Sequence, residues 1–165
     1  MNTAARVENA TKVYGEGDTR VTALDELTLS FERGKFTAIM GPSGSGKSTL
    51  VHCIAGLDSL SGGRVYIGDV CLDDLSEKAL TLLRREKVGF IFQAFNLIPT
   101  LDAAENITLP IDIAGRDPDV AWFDTVVDTI GLRDRLTHRP SELSGGQQQR
   151  VAAARALVTR PEIVF

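Results

Sequence analysis

Two stretches near the start of the chain alternate apolar and polar residues. Residues 6–14 carry Val7 and Val13, and residues 22–31 carry Leu24, Leu27, Leu29 and Phe31. A period of two belongs to a strand with one buried face, so both stretches are expected as strands. Between them, Gly15-Glu16-Gly17-Asp18-Thr19-Arg20 is polar and glycine-containing, hence a loop. Residues 36–40 then form an apolar run of strand length, expected to be buried, and 48–54 have helical spacing that ends near Gly56. A Ser/Gly-rich turn at 58–63 leads into a strand at 64–67, which Gly68-Asp69 turns back. Ser76 is placed to cap a helix running to 85, with Leu80, Leu83 and the stems of Arg84 and Arg85 available for packing.

The second half has longer periods. Residues 88–92 form a short strand with Gln93 at its end, and 100–113 is helical in part, with Pro110 expected to interrupt or kink it. Asp117-Pro118 has the form of an N-cap followed by proline at the first helical position. Val120, Phe123, Val127 and Ile130 follow at helical spacing as a core stripe, which Gly131 closes. Ser144 can cap an alanine-rich helix to Leu157, and Ile163-Val164-Phe165 begins another strand. No internal repeat or low-complexity segment interrupts this order.

Composition narrows the function classes. A net charge of −4 and a pI near 5.2 argue against a general nucleic-acid surface. No apolar run approaches the roughly 18 residues a membrane span needs, and Met1 to Tyr14 has no apolar signal core, so a cytosolic chain is expected. Cys53 and Cys71 follow no disulfide or metal spacing and are expected as small buried hydrophobes.

The chemistry concentrates at Gly41-Pro42-Ser43-Gly44-Ser45-Gly46-Lys47-Ser48-Thr49, which fits G-x-x-x-x-G-K-[ST] between an expected strand and an expected helix. Glycines there let backbone N–H groups approach phosphate oxygens without a Cβ in the way. The helix behind adds unpaired donors and partial positive charge. Lys47 is expected to reach the β- and γ-phosphates of ATP, and the Ser48 hydroxyl to ligate Mg²⁺. Tyr14 stands at the mouth of the 15–20 loop, where it suits either stacking on a base or packing as a strand-end tyrosine. A second glycine-opened helix start lies at Leu143-Ser144-Gly145-Gly146-Gln147, which suits either an approaching anion or a plain capped helix.

Taken together and in this order, the phosphate loop, Gln93 after a strand, LSGGQQQR and the final strand resemble ATP-binding subunits of ABC transporters over nearly the whole chain. Val21-Thr22-Ala23-Leu24, GPSGSGKSTL, the segment from Gly89 to Leu97 and Glu105-Asn106-Ile107 look like the lipoprotein-releasing and macrolide-exporter branch. The resemblance implies an α/β P-loop NTPase domain over 1–165, with an N-terminal antiparallel β subdomain and a helical subdomain at about 94–143. It implies that Tyr14 stacks on adenine, that 41–49 cradle the triphosphate, and that Gln93 touches Mg²⁺ and the attacking water. Ser144, Gly145, Gly146 and Gln147 would close on a nucleotide held by a second copy of the subunit. His138 does not match the family's switch histidine and is expected at the surface, and His52 is expected to be structural. The Mg²⁺-binding Asp and the catalytic Glu of the family would follow Phe165, so the chain is expected to be an incomplete ATPase, inactive by itself.

Implied partners are a membrane-spanning permease and a second ATP-binding subunit, with no nucleic acid, at the inner face of the cell membrane. Phe95, Leu97, Ile98 and Leu101, around Pro99, are expected to form the permease-facing patch, or else to cover the edge of the local core. A force-transmitting ATPase of a cell-division pair is the alternative function. Soluble ABC ATPases of translation or repair carry tandem domains or coiled-coil insertions, and neither occurs between Gln93 and Ser144.

Overall fold

The structure is a computed structural model in which residues 2–165 are described. Contacts divide the chain into two compact units, one running to Arg84 and the other spanning Arg85–Phe165.

The first unit is built on a four-stranded antiparallel sheet of order β2-β1-β3-β4, with β1 at Thr3–Tyr14, β2 at Val21–Glu32, β3 at Gly62–Ile67 and β4 at Val70–Cys71. β1 is central, and Ala5, Val7 and Ala10 are fully buried. The expected alternation breaks at Asn9, which has φ of 49°. From Val7↔Leu29 to Ala10↔Leu27, three steps on β1 face two on β2, a one-residue bulge. A bulge flips every later side chain to the other face. Lys12 therefore takes the buried position, and Val13, expected in the core, is only half-buried. Asn9 N–H donates to Thr28 Oγ1 at 2.9 Å. Opposite, a Cβ on Gly63 would lie 2.3 Å from the Asn9 carbonyl oxygen, so the bulge and this glycine require each other.

As an edge strand, β2 buries Leu24 but exposes Leu29. Helix α1, Lys47–Ile54, packs Leu50, Cys53 and Ile54 inward. Cys53 is buried as expected, and burial pushes its thiol up to about 11. Cys71 is only half-buried, with its Sγ 3.8 Å from Asp73 Oδ2. Residues 36–40 depart most from expectation. They form no strand, and Phe36 is 98% and Met40 85% exposed. An apolar run becomes a buried strand only where a neighbour pairs with its N–H and C=O groups. No described strand pairs with 36–40. Helix α2, Glu77–Lys87, leads from one unit to the other. Ser76 Oγ accepts from Ala79 N–H at 3.3 Å, as its capping role requires.

The second unit opens on β5, Val88–Gly89, which pairs in parallel with β6, Ile163–Val164. Strand geometry is thus shorter than the expected 88–92. Pairing nevertheless continues as Ile91 N–H donates to Phe165 O at 2.8 Å. Three helices pack beside this ladder: α3 at Ala103–Ile113, α4 at Val120–Ile130 and α5 at Gly145–Leu157. Their core holds Ile107, Val127, Leu132, Val151 and Ala154.

Helix α3 begins at a capping box between Asp102 and Glu105 and runs unbroken through Pro110, contrary to the expected interruption. Its last turn still closes, as Ala114 N–H donates to Pro110 O at 3.2 Å. At α4 the N-cap is Asp119, not Asp117: one carboxylate oxygen accepts from Trp122 N–H at 3.0 Å, and the other from Arg160 Nη2 at 2.8 Å. A distant arginine thus pairs with the capping aspartate. Of the expected core stripe, Val127 is buried and Phe123 and Ile130 pack against the core, whereas Val120 is 68% exposed and Val126 is buried beside them. Gly131 closes α4 with φ of 63°, the left-handed cap expected of it.

Candidate phosphate loop and signature helix

Residues Gly41 to Thr49 lie in the first unit, between β2 and the body of α1. Gly46 is the N-cap of α1 at φ 81°, and a Cβ there would stand 2.3 Å from the Ala23 carbonyl oxygen of β2. Only glycine admits both that φ and that approach. Leu50 N–H is the first amide to close on Gly46 O, at 2.8 Å. The amides of Lys47, Ser48 and Thr49 precede it and have no partner of the helix's own. Lys47 Nζ donates to Pro42 O at 2.6 Å and lies 3.4 Å from Ser45 Oγ. The ammonium therefore lies across the loop, where a phosphate oxygen would meet it. A glycine-permitted turn, three free amides and a cation fit a polyphosphate.

Ser48 is exposed at the start of α1. Its hydroxyl is a hard donor of the kind Mg²⁺ accepts, and the ion ordinarily keeps waters and substrate phosphates as its other ligands. No group of three or more His, Cys, Asp or Glu side chains able to hold a metal occurs among the described residues. A hydroxyl beside the phosphate loop therefore fits a metal that arrives with a nucleotide.

Tyr14 is 42% exposed at the end of β1, and its hydroxyl donates to Asp58 Oδ2 at 2.7 Å. Asp58 Oδ1 accepts from Lys12 Nζ at 2.6 Å. Those bonds hold the Asp58 carboxyl below its ordinary value, Lys12 first, and they raise both Lys12 and Tyr14. A lowered carboxylate loses its stabilising contribution only as pH falls through its depressed value; a raised lysine loses its own only as pH rises through its elevated one. Lys12 and Asp58 are therefore ion-paired, with Tyr14 a neutral donor to the carboxylate, across the neutral range. Sequence reasoning missed Lys12 and read Asp58 only as a turn residue. Their signal, a lysine at a position that becomes inward-facing, exists only once the Asn9 bulge is known.

In the second unit, Gln93 is exposed in the turn after β5. Phe95 and Asn96 follow with φ of 59° and 48°. Arg155 of α5 holds both: Nη2 donates to Phe95 O at 2.6 Å and Nη1 to Asn96 O at 2.7 Å. Burial lowers the pKa of this guanidinium. The helix that begins with the signature thus grips the bend beside Gln93, and no local pattern marks Arg155 for that role. Leu97 packs on the helical core, whereas Ile98 is exposed, so the expected apolar patch is divided.

Helix α5 starts at a capping box. Ser144 Oγ accepts from Gln147 N–H at 3.3 Å, and Gln147 Oε1 accepts from Ser144 N–H at 2.8 Å. Loss of this cap in Ser144→Ala is expected to cost about 1 kcal/mol of stability, read as a shift in urea midpoint by fluorescence of Trp122, the chain's single tryptophan. A Cβ added at Gly145 or Gly146 would meet nothing within 4 Å. His138 is half-buried rather than at the surface. Its Nδ1 is buried without a partner, and its carbonyl accepts from Ala103 N–H at 2.9 Å, holding the start of α3. His52 is exposed on α1.

The ABC transporter family profile matches residues 24–165. The chain belongs to the ABC transporter family. As an ABC chain it is similar to the macrolide export ATP-binding/permease protein MacB of Bdellovibrio bacteriovorus, 45% identical over 159 residues, which is 96% of this chain and 24% of that protein. With the lipoprotein-releasing system ATP-binding protein LolD of Nitrobacter winogradskyi it shares 44% identity over 154 residues, 92% of this chain and 66% of that one. The solved dimeric structure of the ATP-binding cassette MJ0796 bound to ADP and Pi, a post-hydrolysis state, superposes with a TM-score of 0.83 at 42% identity. That superposition covers 97% of this chain and 72% of the other. The ABC chain therefore has the α/β fold of P-loop ATP-binding cassettes, and it spans a quarter of the MacB relative and about two thirds of the LolD relative. No helix among its described residues is long and apolar enough to cross a membrane.

Proposed function

We propose that the chain is the ATP-binding domain, over 1–165 with its helical subdomain at 94–143, of a subunit that binds and hydrolyses MgATP to energise an ABC export system at the inner face of the membrane. Gly41 to Thr49 hold the triphosphate, with the Lys47 ammonium on its outer phosphates. Tyr14 stacks on the base. Ser48 and Gln93 are the side chains that would hold Mg²⁺, which when bound neutralises charge developing on the transferred phosphoryl group. Ser144, Gly145, Gly146 and Gln147 face the nucleotide of a second copy, and the segment around Gln93 addresses a permease.

The observation that carries this reading is the fit of the loop. Gly46 abuts the Ala23 carbonyl at a φ that only glycine adopts freely, and Lys47 leans across the turn ahead of three free amides. The MacB and LolD relatives, named for export and lipoprotein release, support a membrane system. In calorimetric titration, Lys47→Ala is expected to weaken MgATP binding at least tenfold, and Ser48→Ala to weaken MgATP binding more than binding of metal-free ATP. Unchanged MgATP affinity in Lys47→Ala would overturn the proposal.

A further inference from the structure

Lys12 is a cation only 9% exposed in the middle of the first unit's sheet. A buried charge has to be partnered, and here every partner lies in one place. Its Nζ donates to Asp58 Oδ1 at 2.6 Å and to Ser59 O at 2.6 Å, and stands 4.9 Å from the centroid of the Tyr14 ring. Asp58 turns its second oxygen to the Tyr14 hydroxyl at 2.7 Å. The ring is thus fixed at its tip by a carboxylate and approached on one face by an ammonium, which leaves its other face for a planar ligand.

The anchoring point matters as much as the clamp. Asp58 stands just beyond α1, its N–H donating to His52 O at 3.3 Å. Helix α1 carries the phosphate loop at its opposite end, eight residues or about 12 Å away. The following turn is strapped to β1, with Ser61 N–H donating to Thr11 O at 2.8 Å and Val13 N–H to Ser61 Oγ at 3.0 Å. One short rigid helix therefore sets the spacing between the aromatic platform and the loop.

We infer that Lys12 and Asp58 are positioning residues that give the site its preference for a purine nucleoside triphosphate over a bare polyphosphate, by locking the Tyr14 ring at a fixed distance from the phosphate loop. This rests on the reading that Tyr14 stacks on the base. Neither residue touches the nucleotide; both act through Tyr14.

The test compares binding of MgATP and magnesium tripolyphosphate to the full-length protein by calorimetry. Tyr14→Ala should lower ATP affinity by about five- to a hundredfold, the range for loss of one base stack, and leave tripolyphosphate affinity within twofold. Lys12→Met, Asp58→Asn and Tyr14→Phe should each lower ATP affinity by about three- to tenfold, again without moving tripolyphosphate. The pair Tyr14→Phe with Asp58→Asn should lose less than the sum of the two, because both act on the Tyr14–Asp58 bond. Equal losses for both ligands would make Lys12 and Asp58 merely structural and overturn the inference, as would no loss for either. Should Lys12→Met fail to fold, Tyr14→Phe leaves the buried ion pair intact and decides the matter. If Tyr14→Ala does not change the ratio of the two affinities, the stacking reading itself falls. If Tyr14→Ala alone changes it, the stacking reading stands and the inference fails.

Discussion

Asn106→Ala is expected to destabilise the helical unit by about 3 kcal/mol, near the top of the range for single substitutions. Asn106 is fully buried, yet none of its side-chain polar atoms lacks a partner. Its Oδ1 accepts from Ile98 N–H at 2.7 Å, and Nδ2 donates to the carbonyls of Ile98, Leu101 and Asp102 at 3.1, 3.1 and 2.9 Å. One side chain thus ties the 98–102 loop to the first turn of α3. Truncation leaves the Ile98 amide and the Leu101 carbonyl without these bonds, at about 1–3 kcal/mol for each that stays out of water. The Ile98 and Asp102 carbonyls keep Leu101 N–H at 3.2 Å and Asn106 N–H at 2.9 Å and are spared. Asn106→Asp is near-isosteric but sets a carboxylate against three carbonyls, so it should be at least as damaging. Thr108→Ala, on the half-buried side of the same helix, is the control and should change stability by less than about 1 kcal/mol. Urea unfolding followed by Trp122 fluorescence reads all three, since Trp122 Nε1 donates to Leu157 O at 3.1 Å within the same unit. An Asn106→Ala midpoint equal to the parent's would show that water replaces the lost partners.

Asn106 also shows where a sequence stops being informative. Glu105-Asn106-Ile107 stood out only as part of a family resemblance, because four bonds to a loop leave no mark on local periodicity. Helix α5 was legible in its bounds: a capping serine and an alanine-rich run state start and stop within one window. The phosphate loop was legible for the same reason, since all its determinants lie within nine residues. Residues 36–40 were not. Their apolar run reports a preference for burial, but what makes a strand is a neighbour, and none pairs with them. The Asn9 bulge defeated the alternation rule by exchanging Val13 for Lys12. The capping rule missed Asp119, which the fold pairs with Arg160 from 41 residues away. Lys12, Asp58 and Arg155 act across 46 to 60 residues of sequence, so only the folded chain exposes their roles.

Gly145→Asp is expected to leave this chain's own fold and ATP binding intact and to abolish association of two copies in the presence of a non-hydrolysable ATP analogue. Nothing among the described residues requires glycine there. A Cβ at Gly145 or Gly146 meets only open space, and neither residue has a positive φ. Helix propensity favours almost any other residue by about 0.5–1 kcal/mol, and a carboxylate in the first turn is welcomed by the helix dipole. The isolated protein should therefore unfold at the parent's urea midpoint or slightly above it. Two glycines here suit the proposed contact, in which the free amides of this helix end receive an anion from another molecule. A γ-phosphate held by a second copy is the proposed anion, and an aspartate in its way meets it as a like charge. At about 4 Å and an effective dielectric of 20, that repulsion is about 4 kcal/mol, or about a thousandfold in affinity. Gly145→Ala adds bulk without charge and should weaken association by a smaller factor. Light scattering with the analogue, beside calorimetry for ATP itself, separates the two effects. A Gly145→Asp protein that pairs as tightly as the parent would remove α5 from the dimer contact, whatever the loop at Gly41 to Thr49 binds.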